Sequence, residues 1–258
     1  MFFVLLLLAF LPIPSEAHVL ETASFAEIDP LLEKASSSCI IFCDIDNTLI
    51  QSQLHLGSAS WGEGIIASLL EKGFNKADAL AIEALLWKYV QMLVPIQAVD
   101  SEAPFYLSKW QAKNIPIIGL TARYPEETET TNRQLISVGI ELTQFFLPDD
   151  VCNYSNGVIF CGMHQTKAEV LLNFLDKTNL QADLVIFIDD KGTHVSEVDA
   201  ALQARGIASI GIRFSGADSA VAAYDPQLAE IQWKHLPQLL SDEQARQILS
   251  EKKCLSLN

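Results

Sequence analysis

The sequence predicts an α/β protein: a doubly wound parallel sheet with a small helical cap inserted after the first core strand. Four short apolar runs carry the prediction: Cys39-Ile-Ile-Phe-Cys43, Ile115-Pro-Ile-Ile-Gly-Leu120, Leu184-Val-Ile-Phe-Ile188 and Ala208-Ser-Ile-Gly-Ile-Arg-Phe214. Runs of this length, rich in β-branched and aromatic residues and lacking polar alternation, fit strands buried on both faces. A helical pattern precedes each of them, so the connections read as crossovers that place helices on both sides of the sheet. Between the first two runs, Ile82, Leu85, Leu86, Tyr89 and Leu93 recur at helical spacing until Pro95. Most of residues 51–98 therefore reads as a helical insertion, leaving 18–50 and 99–258 for the core.

At the start of the chain, Met1–Pro14 is an apolar run followed by Ser15-Glu16-Ala17. Small residues at those positions predict a cleaved signal peptide over 1–17 and a mature domain over 18–258, exported to the periplasm or secreted. A buried N-terminal strand or helix is the competing reading. An uncleaved anchor fits less well, because a span needs about 20 apolar residues; after cleavage no further membrane span is expected.

Residues 18–38 carry a short amphipathic piece that ends in the polar break Ala35-Ser-Ser-Ser38. Farther along, Pro125-Glu126-Glu127 marks a helix start and Gly139 its stop. Thr166-Lys-Ala-Glu169 and Ser241-Asp-Glu-Gln244 fit capping boxes. Asn156-Gly157 reads as a two-residue hairpin turn, which sets Cys152 opposite Cys161 as a non-hydrogen-bonded pair about 4.5 Å apart at Cα. That spacing permits a disulfide in an exported chain; two reduced thiols on a half-buried hairpin fit as well.

With 258 residues, half of them hydrophobic, the chain can bury one sizeable core. Its formal charge of −15, from 17 Lys+Arg against 32 Asp+Glu, excludes a nucleic acid polymer as partner, since there is no basic stripe to track a phosphate backbone. A small phosphorylated substrate is still permitted, because a few local cations and a metal outweigh a diffuse field that salt screens.

In open parallel sheets ligands sit beyond the carboxyl ends of the strands. There the sequence puts Asp44-Ile-Asp46-Asn-Thr48, Thr121-Ala122-Arg123 and Asp189-Asp190, with Lys167 at a helix start. Four converging carboxylates need a cation, and hard oxygen donors suit Mg²⁺. His164 and His194 lie nearby, yet no His/Cys grouping supports zinc. Two readings of Arg123 stay open: a bidentate clamp on a substrate anion, or a surface pair with Glu126 and Glu127. Gln51, Gln53, His55 and Trp61 follow the first loop and are candidate lid residues, able to stack a base or sugar or to pack the insertion itself.

Taken in order, the Asp-x-Asp-x-Thr segment, the strand ending in Thr121, Lys167 and the Asp189-Asp190 pair resemble motifs I to IV of the haloacid dehalogenase superfamily, covering residues 39 to about 214. The nearest likeness is to an uncharacterised branch of exported bacterial proteins. The resemblance implies a Mg²⁺-dependent phosphomonoester hydrolase acting on a small phosphorylated metabolite through an aspartyl-phosphate. In it Asp44 is the nucleophile and Asp46 the general acid/base, while Thr121, Ala122 and Arg123 hold the substrate and Lys167 neutralises charge. The metal would take Asp44, the backbone carbonyl of Asp46, and Asp190, with Asp189 either a further ligand or the group that orients Lys167. A phosphotransferase or mutase with the same site, and a catalytically idle exported binding protein, are the alternatives.

Overall fold

The structure, a computed structural model, describes residues 19–33, 38–145, 153–162 and 165–255, with side chains to residue 252. The expected signal peptide, His164, and Cys152 with its pairing to Cys161 lie outside the described residues.

Val19–Thr22 forms β1, and the Ser24 hydroxyl caps α1 (Phe25–Leu32) by accepting from the Ala26 N–H. β2 is Cys39–Cys43, buried along its whole length. The chain then enters the insertion through β3 (Ile50–Ser52), α2 (Ala59–Glu71, capped by Ser58), α3 (Lys76–Gln91, capped by Asn75) and β4 (Ile96–Ala98). It returns through α4 (Ala103–Gln111) to β5 (Ile117–Thr121), then through a 3-10 turn at Pro125–Glu127 to α5 (Thr128–Ser137).

The hairpin of β6 (Tyr154–Ser155) and β7 (Val158–Phe160) turns on Asn156 and Gly157, whose φ values of 51° and 82° suit a type I′ turn. Tyr154 faces Ile159 and Ser155 faces Val158, the register such a turn dictates. α6 (Lys167–Thr178) opens on a full capping box from Thr166 and Glu169. β8 (Leu184–Asp189), α7 (Gly192–Ala204), β9 (Ala208–Phe214), α8 (Asp218–Ala222), α9 (Pro226–Lys234) and α10 (Asp242–Leu255) complete the chain. Ser241 and Gln244 cap α10 reciprocally.

The sheet runs β1-β9-β8-β2-β5-β7-β6, with every neighbouring pair parallel except β6 with β7. Strand side chains alternate between two apolar layers. Ile41, Ile117 and Ile186 pack with Phe25 of α1, Trp110 of α4 and Leu135 of α5. Phe42, Ile118 and Phe187 pack on the opposite face with Phe174 of α6 and Val198 of α7. The fold is thus α/β, a mostly parallel sheet covered by helices on both sides. β2 is the strand where the winding reverses, with β5 on one side and β8 on the other, and a crevice opens at its carboxyl end.

Most of the insertion is helical, bracketed by an antiparallel ribbon in which Ile50 pairs with Ala98 and Ser52 with Ile96; it departs from the sequence expectation in the face that α3 buries. On α3, the periodic residues Leu85 and Tyr89 are exposed, Leu85 at 72%. The buried face instead carries Ala79, Leu80, Glu83, Trp87, Val90 and Gln91. A helix that covers a polar crevice buries polar residues, and apolar periodicity cannot report that.

The insertion is also fastened to the C-terminal helices. Leu56 N–H donates to Gln232 Oε1 at 2.9 Å, while Gln232 Nε2 donates to Asp242 Oδ1 at 2.8 Å. Trp61, Trp87 and Val90 pack with Ala229 and Trp233 of α9.

Candidate active site

The Asp44 N–H donates to the Ile188 carbonyl at 2.9 Å, the last link between β2 and β8. Beyond it the chain curls tightly: Leu49 and Ile50 both donate to the Ile45 carbonyl, and Asn47 takes the left-handed conformation (φ 62°) that asparagine tolerates. This loop turns both Asp44 and Asp46 into the crevice. Thr48, fully buried, packs beneath it.

Lys167, the first residue of α6, is buried with its Nζ 2.5 Å from Asp44 Oδ1 and 2.7 Å from Asp189 Oδ2. Asp189 Oδ1 in turn accepts from the Lys191 N–H at 2.8 Å and lies 3.2 Å from His194 Nδ1. Asp190 Oδ2 accepts from Asn47 Nδ2 at 3.3 Å. Thr121 closes β5, and its hydroxyl accepts from the Arg123 N–H at 3.2 Å, which leaves the hydroxyl proton available for another acceptor.

Lys167 thus pairs with two carboxylates, and Asp190 makes no ion pair among the described residues. Burial pushes Asp44 well above the usual carboxylate range, with Lys167 opposing and Asp189 and Asp190 adding to the shift. Burial and the neighbouring Asp189 raise Asp190 to about 6. Burial disfavours the ionised form of Asp189 too, but Lys167 and His194 outweigh it and bring Asp189 to about 2. This is a deficit of positive charge.

Asp44, Asp189 and Asp190 each offer an oxygen within 4.8 Å of the others, a set of hard donors that fits a divalent cation such as Mg²⁺. Both oxygens of Asp189 are already engaged by Lys167, Lys191 and His194. Asp44 and Asp190 are the carboxylates with an oxygen to spare.

Arg123 corrects the sequence expectation. It is neither on the surface with Glu126 and Glu127 nor free to clamp a substrate anion. It is buried, and its Nε and Nη2 donate to the two oxygens of Asp46 at 2.8 and 2.7 Å. Its Nη1 donates to Thr131 and Gln134 of α5. Gln134 Nε2 continues to Gln91 of α3, and Gln91 Nε2 to the Gly57 carbonyl at 2.7 Å. A chain of buried hydrogen bonds therefore runs from Asp46 into the insertion. Thr131, Gln134 and Gln91 were not singled out from the sequence, since no motif marks them.

Asp44, Asp46, Thr121, Ala122, Arg123, Lys167 and Asp190 line one pocket that is open to solvent, with Asp189 fully buried below. Its roof comes from α2 (Gly62, Glu63, Ile66) and α3 (Glu83, Trp87), while Tyr124, Glu127, Lys191 and His194 close the sides. None of Gln51, Gln53, His55 or Trp61 lines it. Gln51 and His55 border a second cavity, and Trp61 stacks on Trp87 inside the insertion. The ribbon of β3 and β4 carries residues 51–53 away from the crevice, and the residues of the insertion that line it lie farther along.

Fold and pocket define an α/β protein with an acid-rich crevice at the carboxyl edge of a parallel sheet, where three aspartates could hold a cation. The chain belongs to the family described as "Protein of unknown function (DUF2608)", whose model matches residues 21–246. Among its relatives are proteins of Chlamydia trachomatis serovar D (25% identical over 249 residues; 93% of this chain, 94% of the relative) and Chlamydia pneumoniae (26% over 215 residues; 81% of each). Both carry the name "Putative outer membrane protein". Among solved structures, a haloacid dehalogenase-like hydrolase from Streptococcus pneumoniae is similar at 18% identity and TM-score 0.46, covering 74% of this chain and 92% of that one. A class C acid phosphatase from Bacillus anthracis is similar at 12% and 0.39, covering 88% and 84%. No helix among the described residues is long and apolar enough to cross a membrane.

Proposed function

We propose that this protein is a Mg²⁺-dependent phosphatase that hydrolyses small phosphomonoesters through an aspartyl-phosphate on Asp44. The observation that carries the reading is the contact of Lys167 with Asp44 in a pocket that also holds Asp46, itself gripped at both oxygens by Arg123.

In the first step an Asp44 carboxylate oxygen attacks phosphorus and the bond to the ester oxygen breaks, while Asp46 delivers a proton to the departing alkoxide. In the second step Asp46 takes a proton from water; the water oxygen attacks phosphorus, the Asp44–phosphorus bond breaks, and phosphate leaves with the carboxylate restored. Two-point pairing with Arg123 fixes the Asp46 plane, and each oxygen keeps a second lone pair for the proton. The Thr121 hydroxyl and the Ala122 N–H donate to phosphoryl oxygens, and Lys167 offsets their charge. Asp189 acts one residue removed, as the group that positions Lys167. When bound by Asp44, Asp190 and the backbone carbonyl of Asp46, Mg²⁺ supplies charge neutralisation and alignment of the transferring group.

The apolar start of the chain and the names of its relatives support an exported, envelope-associated setting, hence substrates met outside the cytoplasm.

The test is phosphate release from a panel of phosphomonoesters by purified protein with Mg²⁺. Asp44→Asn should abolish turnover, and Asp46→Asn should lower kcat by about 10²–10⁴-fold while Mg²⁺ binding by calorimetry is retained. Chelation should silence the wild type reversibly. Absence of release from every ester, or full activity in Asp44→Asn, overturns the reading.

A further inference from the structure

We infer that the pocket selects phosphomonoesters whose alcohol portion carries a positive charge, an ammonium or quaternary ammonium group, and that Glu83 and Glu127 bind that group. The inference rests on the phosphatase reading above and names its substrate class.

It starts from the charges that face the pocket. Asp46 is matched by Arg123, and Glu63 by Lys191 at 2.7 Å. Lys167 serves Asp44 and Asp189. Asp190, hydrogen-bonded to Asn47, makes no ion pair among the described residues and belongs to the set that would hold the metal. Glu83 and Glu127 remain, and neither makes an ion pair or a hydrogen bond among the described residues. Both are buried, at 7% and 2% exposure. The Oε2 atom of Glu127 is sequestered with no hydrogen-bond partner among the described residues. A buried carboxylate without a donor is among the costliest arrangements a protein can hold, and native structures keep one where a ligand completes it.

The two acids reach the pocket from different elements. Glu83 descends from α3, and Glu127 rises from the 3-10 turn after β5. Glu83 is held close against α2: a Cβ at Gly62 would come within 2.8 Å of its Oε1. Trp87, one helical turn beyond Glu83, also lines the pocket; Arg123 lies over its ring at 5.9 Å and Trp61 stacks on it, so it borders the two acids as a fixed apolar wall. Arg123 and Lys88 are the nearby cations, but Arg123 is committed to Asp46, and neither comes within ion-pairing distance of Glu83 or Glu127.

The thermodynamic state of the pair agrees. Burial, with Asp46 adding, raises Glu83 to about 7. Burial also raises Glu127 to about 8, with Arg123 opposing. A cation seated between them would restore both to their charged forms and expel protons.

The experiment compares phosphocholine and phosphoethanolamine with the uncharged isostere 3,3-dimethylbutyl phosphate, using Mg²⁺-loaded full-length protein. Expected is a kcat/KM about tenfold or more in favour of the cationic esters, a ratio that collapses toward one in Glu83→Gln/Glu127→Gln. Calorimetry with choline, which requires no turnover, should show binding with proton release that depends on the buffer's ionisation enthalpy, and binding should be lost in the double variant. Circular dichroism checks folding of that variant; if it fails to fold, each single Gln substitution is measured in its place. Choline binding without phosphate release from any ester would refute the phosphatase reading and leave the cation site standing. Equal turnover of charged and uncharged esters, or choline binding unaffected by the substitutions, overturns the inference.

Discussion

The sheet core and the helical insertion face the same pocket but are built by different forces. β2 is five apolar residues, all buried, clamped between β5 and β8 and packed on both faces. α3 buries Glu83 and Gln91 while leaving Leu85 and Tyr89 in water. Its attachment depends on the Gln91–Gln134 bond on one side and on Leu56–Gln232 and the Trp61–Trp233 contact on the other. Non-directional burial fixes the core. A few directional bonds place the insertion, so its position is coupled to Asp46 through Arg123.

Truncation is the strongest way to break the contrast. Phe42→Ala should cost about 3–5 kcal/mol, because Phe42 fills a closed layer against Phe174 that cannot collapse around the void. Leu85→Ser, on the exposed face of α3, should stay within about 0.5 kcal/mol. Urea unfolding of the two variants is the measurement, and similar losses would mean that α3 uses Leu85 for packing after all.

A smaller effect tests the coupling. Gln134→Leu removes the acceptor of an Arg123 N–H and the donor to Gln91, leaving buried groups unpaired at a cost of about 1–3 kcal/mol. Under the phosphatase reading, kcat should fall several-fold while KM changes little, since Arg123 loses one of its two supports on α5 and Asp46 is held less firmly. Stability lost without a change in kcat would show that the hydrogen-bond chain secures the insertion only.

The same contrast explains what could be read from the residues. Strands buried on both faces announce themselves as unbroken apolar runs, and chain order then puts Asp44, Thr121 and Asp189 at one edge. Local chemistry was equally readable: the Asn156-Gly157 turn dictated the β6–β7 register, and Thr166 with Glu169 marked the head of α6. The pairing of Arg123 with Asp46, 77 residues apart, leaves no periodic trace, and neither does the link from Gln134 to Gln91. Short edge strands such as β1 and the three-residue ribbon strands carry too few side chains to show a period. Glu83 was invisible for a similar reason, since a charged residue within a helix reads by default as a solvated one.

The smallest expected effect concerns the pocket wall rather than the core. Glu83 and Glu127 titrate near 4.5 in the unfolded chain but at about 7 and about 8 in the folded one. Between those limits the folded state binds more protons than the unfolded state, so stability must fall as pH rises. The stabilisation from their protonated forms is complete below about 4.5 and is lost as pH climbs through 7 and 8. The effective dielectric around buried groups in proteins moderates it, leaving on the order of 1 kcal/mol between pH 5 and 8, or roughly 2–4 °C in Tm. Replacing both residues by Gln should flatten this part of the profile. Choline at saturating concentration should flatten it too, because a bound cation supplies at pH 8 the charge compensation that protons supply at pH 5. A slope that survives both treatments would have to come from the carboxylates around Lys167, and the paired floor of the pocket rather than its unpaired wall would then set the pH response.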